Sequence, residues 1–460
     1  MSTLLIVLMI LALGAIAWLS ARAKALAFAA PGQPRPHSRP NYHGWFVALA
    51  AMVPALLFIL VWTALSGALV DQSALAGVDP ASLPADAATR GNLLAEARAL
   101  ANGEISTPFN AQASTLAPAY ESARSFYGWL GLGLALLIAF AAGGWAFTRL
   151  SPAFRARTRV ERIVMAILLG ASLIAILTTV GIVASVLFES IRFFSMVSPL
   201  EFLFGLNWSP QIAIRADQAG SSGAFGAVPL FWGTIFIGAI IAMIVAIPLG
   251  LMSAIYLTQY AHPRFRRWMK PILEILAGVP TVVYGYFAAL TVAPAIRDFA
   301  GAVGIPSSTE SALAAGLVMG IMIIPFVSSM ADDSIAAVPQ AMRDGSLAMG
   351  ATKSETIKKV LVPAALPGVV GGVLLAVSRA IGETMIVVMA AGLAANLTAN
   401  PFESVTTVTT QIVQLLTGDQ EFDSPKTLAA FALGLVLFLV TLALNIIALR
   451  VVKKYREAYE

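Results

Sequence analysis

Arg379 and Glu383 are the residues whose types and spacing point first to chemistry. Both fall inside the long apolar run Val369–Leu393, where a charge is costly. Placing one at the centre of a membrane helix costs roughly 2.5–3.5 kcal/mol on insertion scales. Four residues apart on one helix, they would share a face. Two readings follow. The pair locks helices together, or it forms a polar step on a solute path. The guanidinium offers a planar fork of donors suited to phosphate or carboxylate oxygens. Glu383 would hold that fork and offset its charge. A second group, Asp344-Gly345-Ser346 to Gly350, lies in a polar segment between two apolar runs. Pro339 suits a first helical position. Thr352 and Glu355 have capping-box spacing, which predicts a helix start. Ile357, Val360 and Leu361 then form one apolar face, with Lys353, Lys358 and Lys359 in water. Pro363 and Pro367 are expected to end that helix.

The elements that must position these groups are membrane helices. The chain has 460 residues, 58% hydrophobic and 12% charged, against about 25% charged for a soluble domain. A span needs roughly 20 apolar residues. Nine are expected: Leu4–Leu19, Trp45–Leu69, Tyr127–Phe147, Ile163–Phe188, Leu230–Leu257, Ile272–Ile296, Leu313–Met330, Val369–Leu393 and Leu428–Leu449. The fold class is therefore all-α, a polytopic transmembrane helical bundle. Arg22 and Lys24 follow the first run and no basic residue precedes it, so it reads as an uncleaved helix. With the C-terminus in the cytosol, 21 of the 29 Lys and Arg fall on inner segments and 7 on outer ones. That bias sets the orientation and puts Asp344 in the cytosol.

Residues 20–44 read as a Pro- and Arg-rich extended linker. Residues 71–124 read as an external insert, with a short helix expected over Asn92–Ala101. The basic segment 149–162 suits contact with anionic membrane lipid. Phe193, Phe194, Phe202, Phe204, Trp208 and Phe225 form an aromatic shelf at the outer interface. It is either a membrane belt or a docking surface, with Trp208 and Phe225 as its candidates. Pro248 and Pro280 are expected to kink their helices. Gly368, Gly371, Gly372 and Gly382 permit close helix contact.

Several chemistries find no support. Cys is absent, so there is no thiolate metal site and no cysteine nucleophile. The three His are scattered, and no metal site is expected. There is no G-x-x-x-x-G-K-[ST], so the chain is not expected to be an enzyme that hydrolyses ATP through a P-loop. The net charge of +5 reports the inner membrane face rather than a nucleic acid.

Asp344-Gly345-Ser346, Gly350 and Val360-Leu361-Val362-Pro363 resemble the EAA loop of ABC importer permeases. Asp stands for Glu, Gly-Ser for Ala-Ala, and Val for both Ile and Leu. In that family the loop forms the coupling helix that docks in the ATPase. F-L-F-G-L-N-W-S-P at 202–210, F-G-A-V-P-L-F-W-G-T at 225–234, I-P-L-G-L-M-S-A-I-Y-L at 247–257, E-I-L-A-G-V-P-T-V-V-Y-G at 274–285 and S-R-A-I-G-E-T-M at 378–385 are similar to PstC-type phosphate permeases. The resemblance covers about 160–455. It implies a six-span ABC importer permease core at 159–456, with a coupling loop at 332–367. Residues 1–158 would be an N-terminal extension with three spans and the external insert.

The implied function is the permease subunit of an ATP-driven phosphate importer in the bacterial inner membrane. Arg379 and Glu383 fall on the family's R-A-x-G-E motif. The implied partners are a PstA-like permease, a PstB-like ATPase dimer that binds ATP and Mg, and a PstS-like phosphate-binding protein. No cofactor is expected in this chain. A permease for another oxyanion, molybdate or sulfate, is an alternative. So is a passive channel or signalling scaffold.

Overall fold

The computed structural model describes residues 3–28, 36–76, 86–211, 223–417 and 424–456. It divides into two compact units, Met1–Leu177 and Thr178–Glu460. Among the described residues, eight helices are long and apolar enough to cross a membrane, nine if one bent pair counts as a span.

In the first unit, α1 (Thr3–Ala27), α2 (Pro40–Ala76) and α4 (Ala111–Thr148) pack through Ile6, Ile10, Ala55, Ile59, Leu132 and Ala139. Small residues set the spacing. A Cβ on Gly14 would overlap Met52, and one on Gly131 would overlap Trp62. The short helix α3 (Ala87–Ala101) starts at Asp86, whose carboxylate accepts from the Thr89 amide at 3.0 Å. It packs on α4 through Leu93, Ala97 and Leu116. Arg98 of α3 reaches Asp71 at 3.2 Å and the Tyr120 hydroxyl at 2.9 Å. These contacts hold its guanidinium above its ordinary pKa, the Tyr120 bond most of all. The unit boundary falls within α5 (Ala156–Met196).

In the second unit, α6 (Pro199–Phe204) leads into a two-residue antiparallel ladder that pairs Trp208 with Phe225 and Ser209 with Ala224. α7 (Val228–Tyr260) and α10 (Ala312–Ala336) then form the core with α12 (Lys353–Ile381). α10 is the most buried span. Glycines bring these helices close. Gly316 lies on Ile241, Gly320 on the Ala242 carbonyl, Gly250 on Val327, Gly368 on Ser334 and Gly372 on Met330. Lipid tails are as apolar as Leu, so such contact and its packing, not hydrophobic exclusion, hold membrane helices together. α15 (Pro425–Arg456) closes the chain, with Val452 against Gly371.

Two expected spans are redrawn. Ile272–Ile296 is not one helix. α8 (Pro263–Ala277) and α9 (Thr281–Ala302) meet at 84° across Gly278-Val279-Pro280. Proline keeps the residue before it out of the helical region, and Gly278 caps α8, so a break replaces the expected kink. Val369–Leu393 is not one helix either. α12 begins at Lys353 and ends at Ile381, and Pro363 and Pro367 lie within it instead of ending it. A π-helical turn at Ile357–Leu361 precedes Pro363, so the chain passes Pro363 by changing its hydrogen-bond register, while Pro367 sits within the α-helix that follows. The segment between α10 and α12 is accordingly 337–352, within the expected loop 332–367.

Candidate functional site

The site forms where α12 ends, at Ile381. Gly368 and Gly372 rest on Ser334 and Met330, so α12 runs antiparallel to α10. Arg379 lies seven residues beyond Gly372, about 10 Å along the axis. Its guanidinium stands over the Phe326 ring at 5.8 Å. That places it near the middle of α10. The helix then breaks at Gly382-Glu383-Thr384, and a short helix α13 (Met385–Ala390) follows. Non-helical backbone at membrane depth is tolerated only where protein buries it or a water-filled cavity lines it.

Arg379 and Glu383 are therefore not an i, i+4 pair on one helical face, and no ion pair joins them. Glu383 lies past the helix end, and its Oε1 accepts from the Met385 amide at 3.1 Å. The carboxylate bonds the first amide of α13 instead of holding the arginine. Arg379 has no ion-pair partner among the described residues. It lines a cavity of about 220 Å³ with Arg266, Lys270, Glu274, Phe326, Ser328 and Asp332. Asp332 is buried and binds both Arg266, at 3.0 Å, and Lys270, at 2.9 Å. The cavity thus carries three cationic and two anionic side chains.

Beyond α13 the chain turns back. Residues 391–407 are irregular, and α14 (Val408–Leu416) follows. The segment is tied down by Val405 to the Ala391 carbonyl and Thr406 to the Ala394 carbonyl, each at 3.0 Å. Thr406, Thr407, Thr409, Thr410 and Gln411 are all buried. The Thr409 hydroxyl donates to the Glu383 carbonyl at 2.8 Å, and the Val408 amide to the Thr234 hydroxyl at 3.0 Å. This polar thread was missed in the sequence reading. Its signal was present: Thr406-Thr407-Val408-Thr409-Thr410-Gln411 puts five hydrogen-bonding side chains in six positions of an apolar chain.

The other candidates lie elsewhere. α11 (Gln340–Ala348) carries Asp344, Gly345 and Ser346, and no residue of it is buried. Gly350 follows it at φ 84°, the left-handed conformation that favours glycine. Ser346 meets the Thr356 hydroxyl at 2.9 Å. The capping box is present. Thr352 accepts from the Glu355 amide at 3.3 Å, and Glu355 accepts from the Thr352 amide at 2.9 Å. Ile357 and Leu361 are buried, and the three lysines are exposed. Pro363 lies in α12, apart from α11. At the other end, Phe193, Phe194, Phe202 and Phe225 pack edge to face with centroids 5.2–5.5 Å apart. Phe225 is 4% exposed, a core residue and not a docking surface. Trp208 is half-buried, and its Nε1 donates to Gln411 at 2.9 Å.

A broken helix beside a cavity lined by charged side chains, with a short exposed helix between two helices long enough to span a membrane, is an arrangement that suits a membrane permease. The comparisons agree. Residues 246–457 match the family model of the binding-protein-dependent transport system inner membrane component. Residues 7–178 match one described as phosphate ATP-binding cassette transporter. The chain is 33% identical over 245 residues to a probable ABC transporter permease protein, YqgH, of Bacillus subtilis, covering 53% of this chain and 75% of that protein. It is 31% identical over 284 residues to a probable phosphate transport system permease protein PstC of Methanocaldococcus jannaschii, covering 59% and 89%. With PstC of Mesorhizobium japonicum the identity is 29%, covering 64% and 88%. The chain belongs to the PstC-type permeases of ABC transport systems. As a member of that class it is a multi-span inner-membrane subunit that works with an ATPase and a binding protein.

Proposed function

We propose that this chain forms, with a second PstA-like permease, the path for inorganic phosphate through an ATP-driven importer. A PstS-like protein delivers phosphate on the outer side. A PstB-like ATPase dimer, carrying ATP and Mg, docks on the inner side, where the C-terminus lies. The observation that carries the phosphate path is the guanidinium of Arg379. Among the described residues it has no ion-pair partner, it faces a cavity, and it lies two residues before the end of α12. Helix ends and freed backbone at such breaks are where transporters bind solute. An Arg fork fits two oxygens of a phosphate at once. Glu383 and Thr409 hold the break in shape, through the Met385 amide and the Glu383 carbonyl.

On the inner side, Asp344, Gly345, Ser346 and Gly350 of the exposed helix are the contact with the ATPase. Pro363 serves one step removed, in the span that carries the motion to Arg379. Residues 159–456 are the transporting core, and 1–158 an appended unit. The test is uptake of radiolabelled phosphate by cells expressing Arg379→Ala. The expected result is loss of uptake with the assembled complex at normal level. Normal uptake at normal level would refute the role. Competition by molybdate and sulfate in the same assay decides between oxyanions.

A further inference from the structure

The cavity holds a feature that the path past Arg379 leaves unused. Arg266 and Lys270 are four residues apart on α8 and share a face. That face meets Asp332 of α10 with each side chain still about two-fifths exposed, while Phe265, Trp268, Ile272 and Ile275 of the same helix point away and are exposed. Both cations meet on one carboxylate. Asp332 lies near the C-terminal end of α10, its side chain 10% exposed, and accepts from Arg266 at 3.0 and 3.3 Å and from Lys270 at 2.9 Å. Neither cation has another ion-pair partner among the described residues. A carboxylate oxygen pair held by a guanidinium and an ammonium is the donor arrangement that also binds a tetrahedral oxyanion. Arg379 lines the same cavity, so an anion leaving it finds this pair next.

We propose that Arg266 and Lys270 form a second anion station on the inner side of Arg379, occupied in this conformation by Asp332 as a resident stand-in. The transported anion displaces Asp332 from the two cations. Asp332 then returns and expels it toward the cytosol. The carboxylate thereby does two jobs. It neutralises the station while it is empty, and it prevents the station from holding the anion too long. Glu274 lines the cavity too, and its charge opposes retention as well. The inference rests on the oxyanion path above, but not on the anion being phosphate.

The test is Asp332→Asn, which keeps shape and removes the competing charge. The full complex is purified in nanodiscs, and binding of radiolabelled phosphate, sulfate and molybdate is measured without the binding protein. The expected result is at least tenfold tighter retention of phosphate than in the unaltered complex, with slower uptake in vesicles. Retention of sulfate or molybdate alone would support the station and overturn the phosphate reading. Retention of none beyond the unaltered complex would overturn the station. If Asp332→Asn fails to assemble, Lys270→Gln serves, since Arg266 still holds Asp332. Uptake is then expected to fall at least fivefold with an unchanged unfolding midpoint. Unchanged uptake, or a fall only alongside a lowered midpoint, would reduce the trio to a latch between helices.

Discussion

Gly233→Ala tests whether the folded-back segment 391–407 is held as tightly as its contacts indicate. A Cβ at Gly233 would lie 2.0 Å from the Thr406 carbonyl oxygen, 2.7 Å from Val405 Cγ1 and 3.2 Å from the Thr406 carbonyl carbon. Ordinary contact starts near 3.4 Å, so the backbone at Thr406 must retreat by about 1.4 Å in a close-packed interior. That retreat stretches the bonds from Val405 to Ala391, from Thr406 to Ala394 and from Val408 to Thr234, all near 3.0 Å, beyond bonding range. Overpacking costs about 1–3 kcal/mol, and a buried group left without its partner about 1–3 kcal/mol more. The sum is about 2–6 kcal/mol. At 1.4 kcal/mol per factor of ten, the segment should open at least about 30-fold more often. Hydrogen exchange of amides 405–408 in the purified complex measures this directly. Phosphate uptake should fall with it, because α14, which follows the segment directly, carries Thr409, whose hydroxyl bonds the Glu383 carbonyl. Gly434→Ala is the control, since a Cβ there meets nothing within 4 Å. Exchange at 405–408 unchanged in Gly233→Ala would mean that the close approach is not a constraint.

Two further outcomes are expected. Thr352→Ala removes the capping box and should cost about 1 kcal/mol at that helix start, seen as roughly fivefold faster exchange of amides 353–356; equal rates would show the cap to be idle. Met349→Cys places a thiol on an 89% exposed side chain in a chain with no other cysteine, and it should cross-link to the ATPase subunit; its failure to do so in an active complex would count against coupling through this helix.

The membrane class and most spans were legible because a run of about 20 apolar residues has few other uses. The capping box was legible because it needs only two side chains three residues apart. The error at Val369–Leu393 has a specific cause. Apolar composition does not distinguish a helix from a helix that ends and folds back. Gly382, beside two polar residues, was read as a packing glycine, while the structure makes it the last cap of α12. Pro363 and Pro367 point the opposite way in the sequence, yet the chain stays helical, with a π turn before Pro363 and Pro367 within the helix that follows. Phe225 was legible as apolar and aromatic, but which way such a ring points depends on Phe193 and Phe202, distant in sequence. The cavity was illegible for the same reason. Arg266, Asp332 and Arg379 come from three helices, and only their packing brings them together.

The π turn at Ile357–Leu361 has a mechanical consequence. Such a turn carries a surplus residue relative to the α-helix around it. Were it to tighten to ordinary pitch, everything beyond it would swivel by about 100° and slide by about 1.5 Å. Arg379 lies beyond it on the same helix, and the exposed helix carrying Asp344 lies before it. Torque delivered at one end would thus emerge at the other as a turned side chain, with no need to bend the rod between.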